Sequence, residues 1–506
     1  MSDITLKEEN NQLIRDKPKN KESKIMMNIG YSNKDDETLS RWLTSPESPD
    51  NDILYDLEDL RGKSRNLFMN NELAGAALKK MKTKVVGIGL QPKPTINYKI
   101  AGIEKEKAKE YEKLIKAKFN AWASSSNADY NRMHDFYTMQ ALVQLSWIMN
   151  GDAFVIPKRK QRKGVKIDLC LQMIEADRVL NPHYSYNNLI RGGVEFSPDG
   201  DLLNYYIADK HPGDVYSKID KYPVFNSLGR RNILHIFEPD RIGQRRGVPI
   251  LAGLIFPIKQ LGRYKNAEIV AAVINASLGF IVETKDSEGF VNKNGFGNAD
   301  EDDTSGKRTE KISLEHGSGI IAEEGETIKE FTTSRPNKNF KDFVDALYEE
   351  IGAQMEIPHE VLMSSFKASY SAAKASLEEA HQRFSVCRKL LERTLCQPIY
   401  EEFILELIKN GEIDCPKFFE DEAVRYAFSR AIWVGNGKSS LDPLKEANAS
   451  QRQLENYTVT RGIIAAEAGY DFDDLLEARA DEEIKIAELK KKIKNIEGGD
   501  SNENIL

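Results

Sequence analysis

The chain has 506 residues, with 72 Lys and Arg against 79 Asp and Glu, a formal net charge of −7. Hydrophobic residues make up 40%, charged residues 30% and aromatics 9%, which excludes a collagen-like, wholly disordered or disulfide-stapled chain and leaves material for a large core. The acidic balance argues against a simple polyanion binder, because domains that grip nucleic acid carry a basic face; if this protein handles DNA, it does so without gripping it.

Cys170, Cys387, Cys396 and Cys415 form no CxxC pair and no zinc spacing, so they read as free thiols of a reducing compartment. Residues 1–50 are polar, rich in Asn, Asp, Lys, Glu and Ser, and read as a flexible arm without the apolar stretch of a secretory signal. Order is expected from near Leu54. A helix containing Ala74, Gly75, Ala76 and Ala77 leads into Val85–Leu90, which reads as a short strand cut by Gly87 and Gly89. Helices are predicted over 103–122 and 129–149, the second from the spacing of Met133, Phe136, Met139, Leu142 and Leu145.

Asp152 to Pro157 and Val165 to Ile174 form a predicted hairpin with a basic tip of Lys158, Arg159, Lys160, Arg162, Lys163 and Lys166. The tip is either a contact for nucleic acid or an acidic partner, or a solvated turn. A second hairpin joins Val194–Phe196 to Leu203–Ala208 through Ser197-Pro198-Asp199-Gly200, and Ile233 to Phe237 adds a strand. From Pro249 a helical pattern runs to Ser277. Residues 278–335 read as β-rich with an acidic, glycine-containing loop.

The next helix, Asn339 to Glu356, carries an apolar stripe of Phe340, Phe343, Val344, Leu347 and Ile351. Against the single Lys341 it sets Asp342, Asp345, Glu349, Glu350 and Glu356, an acidic face for solvent or a channel. Ile357-Pro358 stops it. Ser364, Ser365, Phe366, Lys367, Ala368 and Ser369 then form a small, polar, mobile loop whose only charge is Lys367. A helix from Ala372 to Asn410 spans roughly 60 Å, kinked at Pro398 and ended by Gly411. The C-terminal region is helical, with Ile486, Leu489, Ile493 and Ile496 forming a short amphipathic seam. The longest apolar stretches, Ile250–Ile258 and Ile269–Val282, fall short of the ~20 residues a membrane span needs.

No motif calls for catalysis, a metal or a cofactor. Gly435-Asn436-Gly437-Lys438-Ser439 ends like a phosphate-binding loop, but Ile432 stands where its first glycine belongs and Asp442-Pro443 interrupts the helix that should follow. Gly87-Ile88-Gly89 is followed by Pro92 where a dinucleotide fingerprint needs glycine. His359-Glu360 lacks the second histidine of a zinc protease, and there is no GxSxG elbow.

Several short stretches are more telling in combination: Val85-Val86-Gly87-Ile88-Gly89-Leu90, Gly151-Asp152-Ala153-Phe154, Ile174-Glu175-Ala176-Asp177-Arg178-Val179 and Gly193-Val194-Glu195 with Gly200. They are followed by Gly243-Gln244-Arg245-Arg246-Gly247-Val248-Pro249 and the Ala267–Ala276 helix. Ile357-Pro358-His359-Glu360-Val361-Leu362, Ser369-Tyr370-Ser371-Ala372-Ala373-Lys374-Ala375 and Trp433 come next, then Asp442-Pro443-Leu444-Lys445-Glu446-Ala447 and Glu467-Ala468-Gly469-Tyr470-Asp471. In this order, from about Arg61 to Glu488, the chain resembles the portal proteins of lambda-type tailed bacteriophages and related prophages. It departs from that pattern at Lys374, where the family usually has Arg, and in the 283–310 loop.

The resemblance implies an α+β portal fold, assembled as a homo-oligomeric ring, typically of twelve subunits, at one capsid vertex of the virion after assembly in the host cytoplasm. It implies an arm (1–50), a mixed α/β wing (51–248), a first stem helix (249–277), a β-rich clip (278–338) and a second stem helix (339–357). A tunnel loop (358–371), a long wing helix (372–411) and a crown with a C-terminal tail (412–506) complete the chain. The implied role is a head–tail connector that passes double-stranded DNA transiently, without sequence preference, during packaging and ejection. Implied partners are the large terminase, the major capsid protein and scaffold, and head–tail adaptor proteins, with no membrane and no cofactor. The tunnel loop, with Lys367 as a sparse cationic collar, would face DNA, and the acidic stem would keep it centred. The competing readings are a packaging NTPase hinging on Lys438-Ser439, and a capsid shell or scaffold protein.

Overall fold

The computed structural model describes residues 46–182, 187–214, 217–227, 229–277, 280–284, 326–330, 340–366, 369–435, 437, 443–468 and 470–497. Most of the polar arm, most of the expected clip with its acidic loop, Lys367, Ala368 and Lys438-Ser439 lie outside these residues.

Helices α1 (Pro49–Leu54), α2 (Leu57–Asn70) and α3 (Glu72–Val85) come first, and the Asn71 side chain caps α3 by accepting the Ala74 N–H at 3.0 Å. The strand expected over 85–90 is displaced. Val85 belongs to α3, Gly87 and Gly89 turn the chain at φ of 60° and 110°, and β1 is Gln91–Pro94. The cause is Gln140. Its amide accepts the Leu90 N–H at 2.7 Å and donates to the Leu90 carbonyl at 3.1 Å, occupying the groups a strand partner would use.

Helix α4 (Lys105–Ala123) buries Ala108, Tyr111, Ile115, Phe119 and Trp122 on one face. The helix expected over 129–149 is shorter: α5 is Phe136–Asn150. The Asp129 carboxylate accepts the N–H groups of Asn131, Met133 and His134 and turns the chain first. Asp135 then caps α5 by accepting the Thr138 N–H at 2.8 Å. The buried face is Phe136, Met139, Val143 and Trp147, whereas Met133 and Leu142 of the expected stripe are exposed.

Strands β2 (Asp152–Arg159) and β3 (Leu169–Ile174) form the first antiparallel hairpin, with Phe154 opposite Ile174. Strands β4 (Ile190–Arg191), β5 (Val194–Phe196), β6 (Leu202–Ala208) and β7 (Ile219–Pro223) form a four-stranded antiparallel sheet. The turn between β5 and β6 falls on Ser197–Gly200 as expected, with Gly200 at φ 95°. Strand β8 (Leu234–Phe237) pairs with the other edge of β2, giving the order β3-β2-β8. A 3-10 turn at Ala252–Leu254 precedes α6 (Ile255–Ser277), which therefore starts later than Pro249.

Strands β9 (Phe280–Thr284) and β10 (Glu326–Glu330) pair antiparallel. Then follow α7 (Phe340–Gln354), α8 (His359–Met363) and α9 (Tyr370–Leu391), which passes through a π turn at Glu392–Cys396 into α10 (Gln397–Lys409). The irregularity expected at Pro398 thus takes the form of a widened turn just before it, where a missing N–H and a bulky ring are best accommodated. Helix α11 (Glu422–Phe428) leads to β11 (Ala431–Val434), which pairs with β1, Gln91 opposite Val434. Helices α12 (Pro443–Glu455), α13 (Arg461–Glu467) and α14 (Phe472–Glu497) close the described chain.

Strand β2 is a wall between two cores. Its Ala153 and Val155 face the larger core, and Phe154 and Ile156 face a smaller one shared with Val194, Tyr205 and Ile207, the two-residue alternation of a strand buried on both faces. In the larger core the Phe119 ring lies 5.1–6.1 Å from those of Trp122, Phe136, Tyr400, Phe403 and Trp433. Cys415, Phe418 and Phe428 join it.

At the start of β2, Asp152 is fully buried. Arg246 grips it with Nε at 2.6 Å and Nη2 at 3.2 Å, Arg61 Nη2 lies at 3.1 Å, and the Gly247 N–H donates at 3.3 Å. The two guanidinium groups hold its carboxyl far below the usual carboxylate range, against desolvation by burial. Arg246 also donates to the carbonyls of Ala176, Val179 and Gly192 at 2.6–2.7 Å. A Cβ on Gly151 would sit 2.3 Å from the Gly247 carbonyl oxygen, and one on Gly247 would sit 1.9 Å from that of Gly151. Only glycine fits at either position.

His235 lies between the Phe154 and Phe237 rings, at 4.2 and 4.3 Å. Its Nε2 is 3.4 Å from Asp152, and its Nδ1 is 3.2 Å from the Tyr205 hydroxyl. A carboxylate only accepts, so Nε2 carries the hydrogen and Nδ1 accepts from Tyr205. Burial lowers the His235 pKa despite the adjacent carboxylate.

Asp152→Ala leaves two buried guanidiniums without their anion, and a loss of about 3–5 kcal/mol is expected from urea unfolding. A lowered histidine pKa means that the unfolded chain binds the extra proton. The stability His235 contributes is therefore full above its ordinary value of about 6.5 and is lost as pH falls below it. Urea midpoints between pH 7.5 and 5 should decline in the wild type and flatten in His235→Gln.

Candidate functional site

Helix α7 packs on α6 through Tyr264, whose ring stacks on Phe340 at 5.5 Å and meets Phe343 edge-on at 5.0 Å, while Lys265 Nζ donates to the Tyr348 hydroxyl at 2.8 Å. Val344 and Ile351 are buried as expected, but Phe343 is half exposed. Asp342, Glu349 and Glu350 are exposed and Asp345 half-buried.

Glu356 does not belong to this helical face. The helix ends at Gln354, and Glu356 stands beyond it at φ 55°. The Ile357 N–H bonds back to the Gly352 carbonyl at 2.9 Å and the Glu356 N–H to that of Ala353 at 3.1 Å, the paired bonds of a helix stop that normally places glycine where Glu356 stands. Its carboxylate points to Arg383 Nε at 3.8 Å, and Arg383 also holds Glu238 with two bonds of 2.8 and 2.9 Å.

The loop expected to be mobile is anchored at both ends. After α8, Ser364 adopts φ 54°, and the Ser365 N–H donates to the Glu360 carbonyl at 3.0 Å. At the far end Ser369 caps α9, accepting the Ala372 N–H at 3.4 Å. Phe366 is exposed between them. Lys80, on α3, donates to the Val361 carbonyl, the Leu362 carbonyl and the Ser364 hydroxyl at 2.7, 2.8 and 2.7 Å. Nothing in the local sequence of the loop pointed to Lys80, which lies more than 280 residues earlier in the chain.

The basic hairpin tip is largely occupied by its own neighbours. Arg162 donates to the carbonyls of Asn127, Asp129 and Tyr130 at 2.5, 2.8 and 3.1 Å. The ammonium groups of Lys158 and Lys160 lie 4.9 and 4.6 Å from the centre of the Tyr130 ring. Arg159 pairs with Glu402 at 3.0 Å and lies 3.6 Å from Glu406. Glu406 is itself buried and accepts the N–H groups of Asp168 and Leu169, and burial pushes its carboxyl up. Glu402 and Glu406 are one helical turn apart, a pattern visible in the sequence, but their target became visible only in the fold. Lys163 and Lys166 remain exposed.

The glycines of the apparent phosphate loop have packing reasons. A Cβ on Gly437 would fall 2.4 Å from the Ala468 carbonyl oxygen, and one on Gly435 would fall 2.8 Å from the Leu90 side chain. Two helices present apolar side chains to their surroundings: Phe256, Ile269, Val270 and Val273 on α6, and Leu475, Leu476, Ile484, Ile486 and Leu489 on α14. The expected seam of α14 is thus uncovered at Ile486 and Leu489, and the side chains of Ile493 and Ile496 lie outside the described residues. Among the described residues no helix is long and apolar enough to cross a membrane.

The sequence model of the family described as "Phage portal protein, lambda family" matches residues 35–388. Portal protein B of Escherichia phage lambda is 22% identical over 480 residues, 89% of this chain and 89% of that protein. The portal protein of Escherichia phage N15 is 22% identical over 475 residues, 88% of each. Among solved structures, a chain of the neck of a native GTA particle computed with C12 symmetry is 10% identical, with a TM-score of 0.40, over 82% of this chain and 93% of that one.

The difference between held and free cations on the hairpin tip is measurable. Arg162→Ala removes three charge-assisted hydrogen bonds and is expected to cost about 1.5–3 kcal/mol, whereas Lys163→Ala should stay within about 0.5 kcal/mol of wild type. Equal urea midpoints for the two variants would contradict this.

Proposed function

Because this chain belongs to the lambda family of phage portal proteins, we propose that it assembles with copies of itself, typically twelve, into a ring at one capsid vertex of the virion. Double-stranded DNA passes along the ring axis during packaging and ejection. The exposed acidic face of α7 carries this reading: Asp342, Glu349 and Glu350 present carboxylates to solvent on a stem helix whose other side packs on α6. A conduit must not grip, since every phosphate neutralised by Lys or Arg adds salt-dependent affinity and slows sliding. Carboxylates repeated around an axis repel the backbone from the wall and keep the duplex centred.

The apolar side chains on α6 and α14 supply what a ring needs, a surface that a neighbouring copy covers. In this scheme residues 51–248 serve as wing, α6 and α7 as stem, and 278–338 as clip, the docking site for the large terminase and later the head–tail adaptors. Residues 364–369 form the tunnel loop with Lys367 as its collar, α9 and α10 form the long wing helix, and the crown follows. The packing of Cys415, Phe418, Phe428 and Trp433 in the wing's core favours a crown that begins beyond β11. Of the hairpin tip, Lys163 and Lys166 are left for contact with a partner such as the capsid shell or scaffold. The family's role is structural, and ATP hydrolysis belongs in this scheme to the separate terminase.

Negative-stain imaging of the purified protein tests the assembly directly: closed rings with a central hole are expected, and icosahedral shells or monomers would refute it. Within the ring, Glu349→Lys/Glu350→Lys is expected to raise affinity for duplex DNA about ten-fold or more at 50 mM salt, with a steeper salt dependence. DNA binding indistinguishable from wild type in that variant removes α7 from the channel wall.

A further inference from the structure

Two helix C-termini, those of α3 and α8, are each closed by a cation from another helix. Arg388 of α9 donates to the last carbonyls of α3, Val85 at 3.1 Å and Lys84 at 3.0 Å. Lys80 of α3 does the same for α8, spending all three of its N–H bonds on Val361, Leu362 and Ser364. A cation at a helix C-terminus meets unpaired carbonyls and the negative end of the helix dipole. Here the cation comes from a distant segment, so the cap also fixes α8 to α3. Ser364, whose hydroxyl is the third acceptor, has a left-handed backbone at φ 54°, a conformation that serine holds only when its surroundings support it.

We infer that Lys80 is the positioning residue of loop 364–369: its ammonium sets where the loop leaves α8 and passes any displacement of wing helix α3 to the loop. This rests on the proposed reading of the loop only for its consequence at DNA, not for the clamp itself. Ser364 is thus tied to α3 by Lys80, and Ser369 is tied to α9 as its cap.

Hydrogen exchange of the full chain tests the clamp. In Lys80→Met the amides of residues 364–369 are expected to exchange about ten-fold faster, as the loss of one or two net hydrogen-bond contributions implies. Exchange in β1 and α4 should stay unchanged, and Lys80→Arg should return the loop towards wild-type protection. Unchanged exchange at 364–369 in Lys80→Met overturns the inference, as does an equal acceleration across the whole chain. If Lys80→Met fails to fold, Ser364→Ala, which removes one of the three acceptors, must still give a smaller acceleration confined to the same segment, and its absence overturns the clamp. Assembled particles separate the two readings. A loosened loop with altered length of packaged DNA supports both. A loosened loop with normal packaged length supports the clamp and takes this loop out of the DNA path.

Discussion

The mixed α/β region that ends near Pro249 is organised around one buried anion. Asp152 is shut off from bulk solvent, and its charge is tolerable inside the protein because Arg246, Arg61 and the Gly247 N–H surround it. The consequence is geometric as much as energetic. Arg246 reaches Asp152 on β2 with one edge and the carbonyls of Ala176, Val179 and Gly192 with the rest. A single guanidinium therefore sets the spacing between the central strand, the turn after β3 and the turn between β4 and β5. Contact between Gly151 and Gly247 brings the two backbones close enough for this to happen. Three of the short stretches that carry the family resemblance, scattered over about a hundred residues, converge on this one joint, and Gly192 adjoins a fourth.

From that joint the rest of the molecule is built outward. Strand β2 separates the two cores, and the larger one reaches through Phe119 to α10 and Trp433, so strand β1 and its partner β11 are fixed to the same frame. The chain leaves this frame through α6 and returns through α7, the two held together by Tyr264 and Lys265. Where it returns, helix ends are closed by cations from elsewhere, Lys80 on α8 and Arg388 on α3. Charge has two opposed uses in this protein. Inside, and at helix ends, it is neutralised and rigid. On α7 the carboxylates stay exposed, in keeping with a surface that polyanionic DNA passes without adhering.

Much of the fold was legible in the sequence for local reasons. The β5–β6 turn follows from Ser-Pro-Asp-Gly, the long helix from its uninterrupted pattern, and the end of α7 from Ile357-Pro358. Two of the errors share one cause. At 85–90 and 129–135 the chain reads as strand and helix, but the Gln140 amide and the Asp129 carboxylate occupy the backbone groups those elements would need. Such side-chain bonds carry no periodic signature. The local partners of the basic tip were hidden for a similar reason: Tyr130, Glu402 and Glu406 come from other segments and engage Lys158, Lys160 and Arg159, while the carbonyls of residues 127, 129 and 130 hold Arg162.

Taken alone, the sequence determined the net charge of −7, the order of helical and extended segments, and the ordered motifs of a portal protein, because composition, periodicity and motif order are properties of the chain itself. The excess of acid over base excluded gripping of DNA but could not say where the carboxylates stand. Tertiary structure decided that: Asp152 is buried and paired, Glu406 is folded back onto the hairpin, Glu356 leaves the helix, and Asp342, Glu349 and Glu350 face solvent. The difference is physical. A charge is priced by its surroundings, and those are supplied by residues hundreds of positions away that only folding brings near.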